Sequence, residues 1–248
     1  SFGQVSGYTF AKSAGTYTPI TGGVVAAATT LTTTLDSELY GALPIGFTFN
    51  YNGLSYTEFG MNVNGWISMG SAIPASSSTP ISSGTTNNII SAVAGDLYGR
   101  QSITASTTSG SPVITMTAGS LLGVSVGDVV SGTGIATTCT VVSVAGSTVT
   151  LSANATSTGT ARNIRFHNGN VSYKTIGSAP NRSLVVQFSK FSRWATSAPS
   201  DLMNFQIILN ETSNTIQFVY DIPYVNASAT RQVGLRGASS SDYNTRST

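Results

Sequence analysis

The segment Asn204–Asp221, NFQIILNETSNTIQFVYD, places two alternating runs on either side of a polar connection. Phe205, Ile207 and Leu209 recur at every second position, as do Ile216, Phe218 and Tyr220. A period of two puts each set on a single face of a pleated strand. Between them, Asn210–Asn214 supplies short polar side chains that bond their own backbone and favour a turn. The pattern predicts an antiparallel hairpin with one buried face. Upstream, Leu184, Val186 and Phe188 alternate with Ser183, Val185 and Gln187 in the same rhythm.

Composition extends this reading to the whole chain. Only 8% of the 248 residues are charged, against about 25% in an ordinary globular domain. Hydroxyls and glycine stand in their place: 37 Ser, 35 Thr and 26 Gly. The residues that suit long helices and their i,i+4 pairs are scarce, whereas Thr, Val, Ile, Tyr and Phe suit a half-buried pleated surface. The expected fold is all-β, an antiparallel β-sandwich. Ten Phe, ten Tyr and two Trp, with a net charge of +2, argue for a packed core rather than a disordered chain.

Aromatic residues then divide the chain. Between Tyr98 and Phe166 there is no Phe, Tyr or Trp, although both flanks are rich in them. Aromatics supply much of a core's buried area, so so long a gap predicts a second interior. Residues 101–164 are read as a small inserted β-domain of about five strands, and 1–100 with 165–248 as a discontinuous host. Inside the insert, CTVVSVAG and STVTLSA alternate around Ala145-Gly146-Ser147, a hairpin turn. Asp128 follows Gly127 at another turn.

At LPIGFTFNYNGLSYTEFGMNVNGWISMG, Leu43–Gly70, the chain resembles the opening domain of large secreted Bacteroidota surface proteins of the type IX secretion cargo type. The resemblance continues through APNRSLVVQF, the 204–221 hairpin and VGLRGASSSDYNTRST. Within it, Pro44–Gly70 is similar to nidogen-like extracellular domains: a strand, Tyr-x-Gly, a strand, then Asn-Gly-Trp and a closing strand. Residues 101–164 separately resemble a small phage and bacterial surface module with a Gly-Asp-Val-Val-x-Gly-x-Gly-Ile core. These likenesses imply a jelly-roll-like sandwich with a structural or adhesive role and no catalytic residues. Two departures stand out: Val93-Ala94-Gly95-Asp96-Leu97 stands where the family has an aromatic and paired acids, and the given sequence stops at Arg246-Ser247-Thr248 without reaching the sorting domain of such cargo, as a fragment or a processed product would.

Side chains able to do chemistry are few, and the expected function is non-enzymatic. His167 is the only histidine, sits where the chain re-enters the host, and reads as a surface or junction residue. Asp36 and Glu38 would share a strand face, but lie in a Thr-rich segment and read as solvated. Asp96, Asp201 and Asp242 are candidate calcium ligands without the spacing of a dedicated loop; no other cofactor is expected. The single cysteine, Cys139, excludes an intrachain disulfide and a Cys-x-x-Cys zinc site. Trp66, after Asn64-Gly65, reads as a core anchor. The expected ligand-binding residues are Trp194 and Tyr224, with loop Ser71–Asn88, for glycans. Arg162, Arg165 and Arg182 read as scattered surface cations, so no nucleic-acid partner is expected. The Asn-x-Ser/Thr triplets at Asn181 and Asn210 read as products of composition.

No apolar run reaches the roughly 18–20 residues that span a bilayer. The opening SFGQVSGYTF reads as a mature N-terminus after export, which predicts an extracellular or cell-surface location. Low charge lets like subunits pack closely. The leading expectation is a self-associating structural surface protein, polymerised by strand addition of VVAAATTLTTTL or SFGQVSGYTF into a neighbour's sheet. Adhesion to glycans is the alternative, and a secreted hydrolase the least favoured.

Overall fold

The computed structural model describes residues 4–194, 198–226 and 230–246. Residues 1–3, 195–197 and 247–248, part of the N-terminal, Trp194 and C-terminal segments read above, lie outside that description, as do residues 227–229. The described chain is all-β apart from one 3-10 turn at Val5–Gly7.

In chain order the strands begin with β1 (Val24–Ala28), β2 (Leu39–Tyr51), β3 (Leu54–Asn62), β4 (Trp66–Met69), β5 (Ile89–Ala94) and β6 (Leu97–Tyr98). Next come β7 (Gln101–Thr107), β8 (Val113–Ala118), β9 (Val129–Gly132), β10 (Cys139–Ala145), β11 (Thr148–Leu151) and β12 (Gly159–His167). The last are β13 (Asn170–Ile176), β14 (Ser183–Arg193), β15 (Leu202–Asn210), β16 (Ile216–Tyr224), β17 (Gln232–Arg236) and β18 (Tyr243–Arg246).

They form two antiparallel sheets and a closed barrel. One sheet runs β1-β13-β14-β15-β16, with β6 pairing the end of β14; the other runs β18-β17-β5-β4-β3-β2. The expected hairpin is β15–β16, and its register pairs the alternating residues with each other: Phe205 with Tyr220, Ile207 with Phe218, Leu209 with Ile216. The sheets enclose one apolar interior, to which Phe47, Phe49 and Phe59 come from one side and Leu184, Val186 and Phe205 from the other. Phe188 stacks on Phe205 at 4.6 Å between centroids and meets Phe191 edge-on at 5.5 Å, the two geometries aromatic quadrupoles favour.

Arg182 ties the sheets at one end. Its Nε and Nη2 donate to the Glu211 carboxylate in the β15–β16 turn, and Nη1 donates to Gly46 O on β2 at 2.7 Å. Arg182 is therefore a clamp rather than a free surface cation.

The barrel, β10-β11-β8-β7-β12-β9, runs from Gln101 to His167 and has its own apolar cluster, including Ile103, Ile114, Val130, Val149 and Phe166. Cys139 is buried within it as a free thiol. Gly146-Ser147 closes the β10–β11 hairpin where turn residues predict it. The barrel has six strands rather than about five. The additional closure comes from β7 and β12, whose Ser, Thr, Arg and Asn break the alternation that marks the other strands.

Several strands of the sandwich, β14 and β5 among them, are buried on both faces. In β14, Val185 and Gln187 face away from the core yet are covered, because the segment before β1 crosses them. Ile20 N donates to Gln187 Oε1, and Gln206 Nε2 donates to Thr18 O. All six residues of β5 are likewise buried, because residues 71–88 fold back across the outer face of their sheet.

Candidate functional site

Three features of the described residues project toward other molecules or hold two parts of the chain together. The first is a neck. The chain leaves the sandwich at Gly99 and returns at Gly169, and Gly169 N donates to Gly99 O at 2.9 Å. Thr29 bridges both: its backbone N donates to Gly169 O at 2.9 Å, and its hydroxyl contacts both carbonyls. A Cβ on Gly169 would lie 2.3 Å from Gly99 O, so this approach needs glycine. Further contacts press the barrel to the sandwich beside the neck. Ser102 and Ser200 bond each other through Ser102 N–Ser200 Oγ and Ser200 N–Ser102 O. Ser192 Oγ donates to Arg100 O at 2.7 Å, and Lys190 Nζ lies 3.8 Å from Asp128 Oδ2.

The second feature is the open edge at β1. Val24 and Val25 are 57% and 58% exposed, and the strand VVAAA carries no charge and no proline. At the opposite end of the same sheet, β16 carries Asp221 and Pro223, a charge and a missing N–H that discourage further pairing. β1 has a bulge between Val25 and Ala27 and otherwise little protection.

The third feature is a groove beside the loop of residues 71–88. Gly60 gives the start of this loop its seat, since a Cβ there would stand 2.6 Å from Ala72 O. Trp66, fully buried, donates Nε1 to Ser77 O at 3.0 Å. The buried Arg236 donates to Pro80 O, Ser83 O and Gly84 O at 2.9–3.1 Å. Gln232 Oε1 accepts from Ile81 N at 2.8 Å, while its Nε2 donates to Ser82 Oγ. Burial in this carbonyl nest lowers the pKa of Arg236, although no side chain of the chain leaves arginine uncharged at physiological pH. Between the held loop and β18 lies a cavity of about 370 Å³, with Ile81 and Ser82 on one wall and Tyr243 and Thr245 on the other. Arg231 and Arg246 also line it.

The residues singled out from sequence are dispersed. Trp194 is 42% exposed at the end of β14, and its N donates to Asp96 O. Tyr224 is half-buried at the end of β16, opposite Leu202. No hydrogen bond or ring contact among the described residues joins either one to loop 71–88, which is organised by Trp66, Gln232 and Arg236. Trp66 is fully buried, but in a small cluster with Ile89 and Ala94 beneath the loop rather than in the interior between the sheets.

His167, 7% exposed, ends β12 with Nε2 2.8 Å from Ser131 Oγ. Burial first, and the nearby Arg100 and Arg165 charges, lower its pKa, against an opposing backbone bond at Thr30. The shift favours the neutral ring. Asp36 has its pKa raised, mainly by burial and then by the negative charges of Asp96 and Glu38, with Arg100 opposing.

The calcium candidates Asp201 and Asp242 each make structural contacts. Asp201 lies 3.8 Å from both Arg193 Nε and Arg231 Nη2, and accepts from Asn226 N. Asp242 accepts from Val5 N and Ala238 N. Among the described residues no three His, Cys, Asp or Glu gather in a way that would hold a metal ion. Likewise, no helix there is long and apolar enough to cross a membrane.

The sequence had no means to show the groove. Tyr243, Gln232 and Ile81 are distant in the chain, and Gln232 and Arg236 each read as an ordinary polar position in a short strand. Only the composition of β5, Ile89–Ala94, apolar on both faces apart from Ser91, hints that something covers that side.

The class so defined is a two-sheet antiparallel β-sandwich from which a closed barrel is looped out through a glycine neck. The family model described as NIDO related matches residues 7–115 and 132–248, and the chain belongs to that family. Both matched segments run into the barrel, through β7 and the first half of β8 on one side and from Gly132 on the other. No curated protein and no solved structure matches the chain.

Proposed function

We propose that this protein is an extracellular structural surface protein that associates with copies of itself through the β1 edge, without catalysis. The observation that carries this reading is the uncharged strand Val24–Ala28, with both leading valines exposed at the open end of its sheet. Unpaired N–H and C=O groups at such an edge are a template for another strand. With net charge +2 spread over 248 residues, little repulsion opposes the approach.

Pairing of β1 with β1 across a two-fold axis would continue the sheet into a closed dimer, and a filament or sheath would need a second, non-closing contact. The N-terminal segment, the other strand expected to reach a neighbour, is engaged within its own chain. Val5 is fully buried, Tyr8 packs on Tyr51 at 5.7 Å, and Asn244 donates to the carbonyls of Val5 and Tyr8.

Location outside the cell, in a secreted Bacteroidota surface protein, rests on the likeness of Leu43–Gly70 and on the hydroxyl-rich, charge-poor composition. The barrel reads as an inserted domain because its apolar cluster is its own and its chain passes through a single neck.

Sedimentation velocity and negative-stain electron microscopy across a concentration series test the association. Wild type should form dimers or longer assemblies, and Val25→Lys, which places a charge on the edge, should remain monomeric with unchanged circular dichroism. A monodisperse wild-type monomer at the highest concentration would refute the proposal.

A further inference from the structure

We infer that the neck carries an acid-sensitive latch, in which a proton on His167 loosens the hold of the sandwich on the barrel. The latch lies where the β7–β12 ladder runs out, with Arg165 paired to Ser102 and Phe166 to Gln101. Phe166 belongs to the barrel's apolar cluster. Alternation therefore puts Arg165 and His167 on the outer side, together with Ser102 and Arg100 from the facing strand and its approach. The register brings Arg100 alongside His167, one step beyond the last pair and just before Gly169 N meets Gly99 O. On the other flank, Ser131 of β9 stands opposite Arg165, and its Oγ lies 2.8 Å from His167 Nε2.

The segment between β1 and β2 is tied down beside this outer side. Thr29 N donates to Gly169 O and Gly99 N donates to Thr34 O, and His167 is left 7% exposed. Its nearest charged neighbours, Arg100 and Arg165, are both cations. Arg165 comes from β12 itself and Arg100 from the link into β7. Among the described residues neither has a carboxylate within ion-pair distance. From β9 comes only the Ser131 hydroxyl; Asp128, just before that strand, is turned to Asn168 and Lys190. The covering segment brings Asp36, which acts on Arg100 and is itself crowded by Asp96 and Glu38. A proton on His167 thus adds a third positive charge to a covered seam, where solvent screens it little.

Burial, and then the Arg100 and Arg165 charges, lower the His167 pKa, with a backbone bond at Thr30 opposing. A histidine freed from the seam therefore takes up its proton at higher pH than the held one. The hold is complete above the ordinary histidine value of about 6.5 and is lost as pH falls below it. Asp36, whose pKa is raised, works in the opposite direction as it protonates, so the histidine's share is read from a variant. The latch is independent of association through β1.

Hydrogen exchange of the full chain between about pH 7.5 and 5.5, corrected for the intrinsic pH dependence of exchange, tests it. The amides of Thr29 and Gly169, which bond across the neck, should lose protection by about three- to tenfold; one pH unit below the free histidine value sets the upper limit. Amides of Phe205 and Ile207 in β15 should keep theirs. His167→Gln, which can still bond Ser131 but takes no proton, should flatten the profile. Arg165→Gln, which removes a neighbouring charge and leaves the histidine, should make the fall shallower. The inference is overturned if wild-type protection at the two neck amides is constant over that range. It is overturned equally if His167→Gln loses protection as wild type does, or if the fall is undiminished in Arg165→Gln.

Discussion

Replacing Gly169 by alanine would force open the neck through which the barrel leaves the sandwich. The new Cβ would sit 2.3 Å from Gly99 O and 2.5 Å from Gly99 C and Cα. An ordinary contact is more than an ångström longer, and the opposing atoms are backbone, so no side-chain rotation relieves the overlap. Forcing packed groups apart in this way costs about 1–3 kcal/mol. Separation also weakens the bonds that cross the neck, Gly169 N to Gly99 O and Thr29 N to Gly169 O, both 2.9 Å. Each buried hydrogen bond contributes about 0.5–1.5 kcal/mol. The sum is a loss of about 2–6 kcal/mol. At about 2–4 °C per kcal/mol for a chain of this size, melting should fall by about 4–24 °C. Thermal circular dichroism measures it, with Gly15→Ala as the control, because no atom lies within 4 Å of a Cβ there. If Gly169→Ala melts within about 2 °C of wild type, the neck does not hold the two parts as argued.

Two further outcomes follow from the same contacts. Replacing residues 100–168 by a short glycine linker between Gly99 and Gly169, already hydrogen-bonded to each other, should leave a sandwich that unfolds cooperatively. An aggregated product that lacks native β-sheet circular dichroism would show that the barrel is part of one folding unit. The Arg182 side chain depresses the Glu211 pKa below its ordinary 4.5. The carboxylate therefore stabilises the fold above that value and ceases to do so as pH falls through the lower, folded one. Glu211→Gln should accordingly melt below wild type at pH 7, and the gap should narrow as pH falls below the ordinary carboxylate value; a gap constant over that descent would contradict the clamp.

Much of the sandwich was legible in the chain because its information is local. The β15–β16 hairpin follows from alternating Phe205, Ile207, Leu209 and Ile216, Phe218, Tyr220 around a polar turn, and the structure pairs those same residues across it. The missing aromatics point to a separate interior for residues 101–164, and the apolar cluster of the barrel holds Ile, Val and Leu with a single aromatic, Phe166. Its closing strands were not legible, because β7 and β12 are read only from each other, with Ile103 opposite Ile164 and Ser102 opposite Arg165.

What a single chain reading determines here is the strand class, the faces of the regular strands and the chemistry available. What the tertiary structure alone decided is where the polar residues go. Arg236 reaches Pro80 across 156 positions and Gln232 reaches Ile81 across 151, and no periodicity encodes such a pair. The groove, the neck and the unprotected β1 edge arise from packing between distant segments, whose geometry is fixed only once both sheets have closed over their common core.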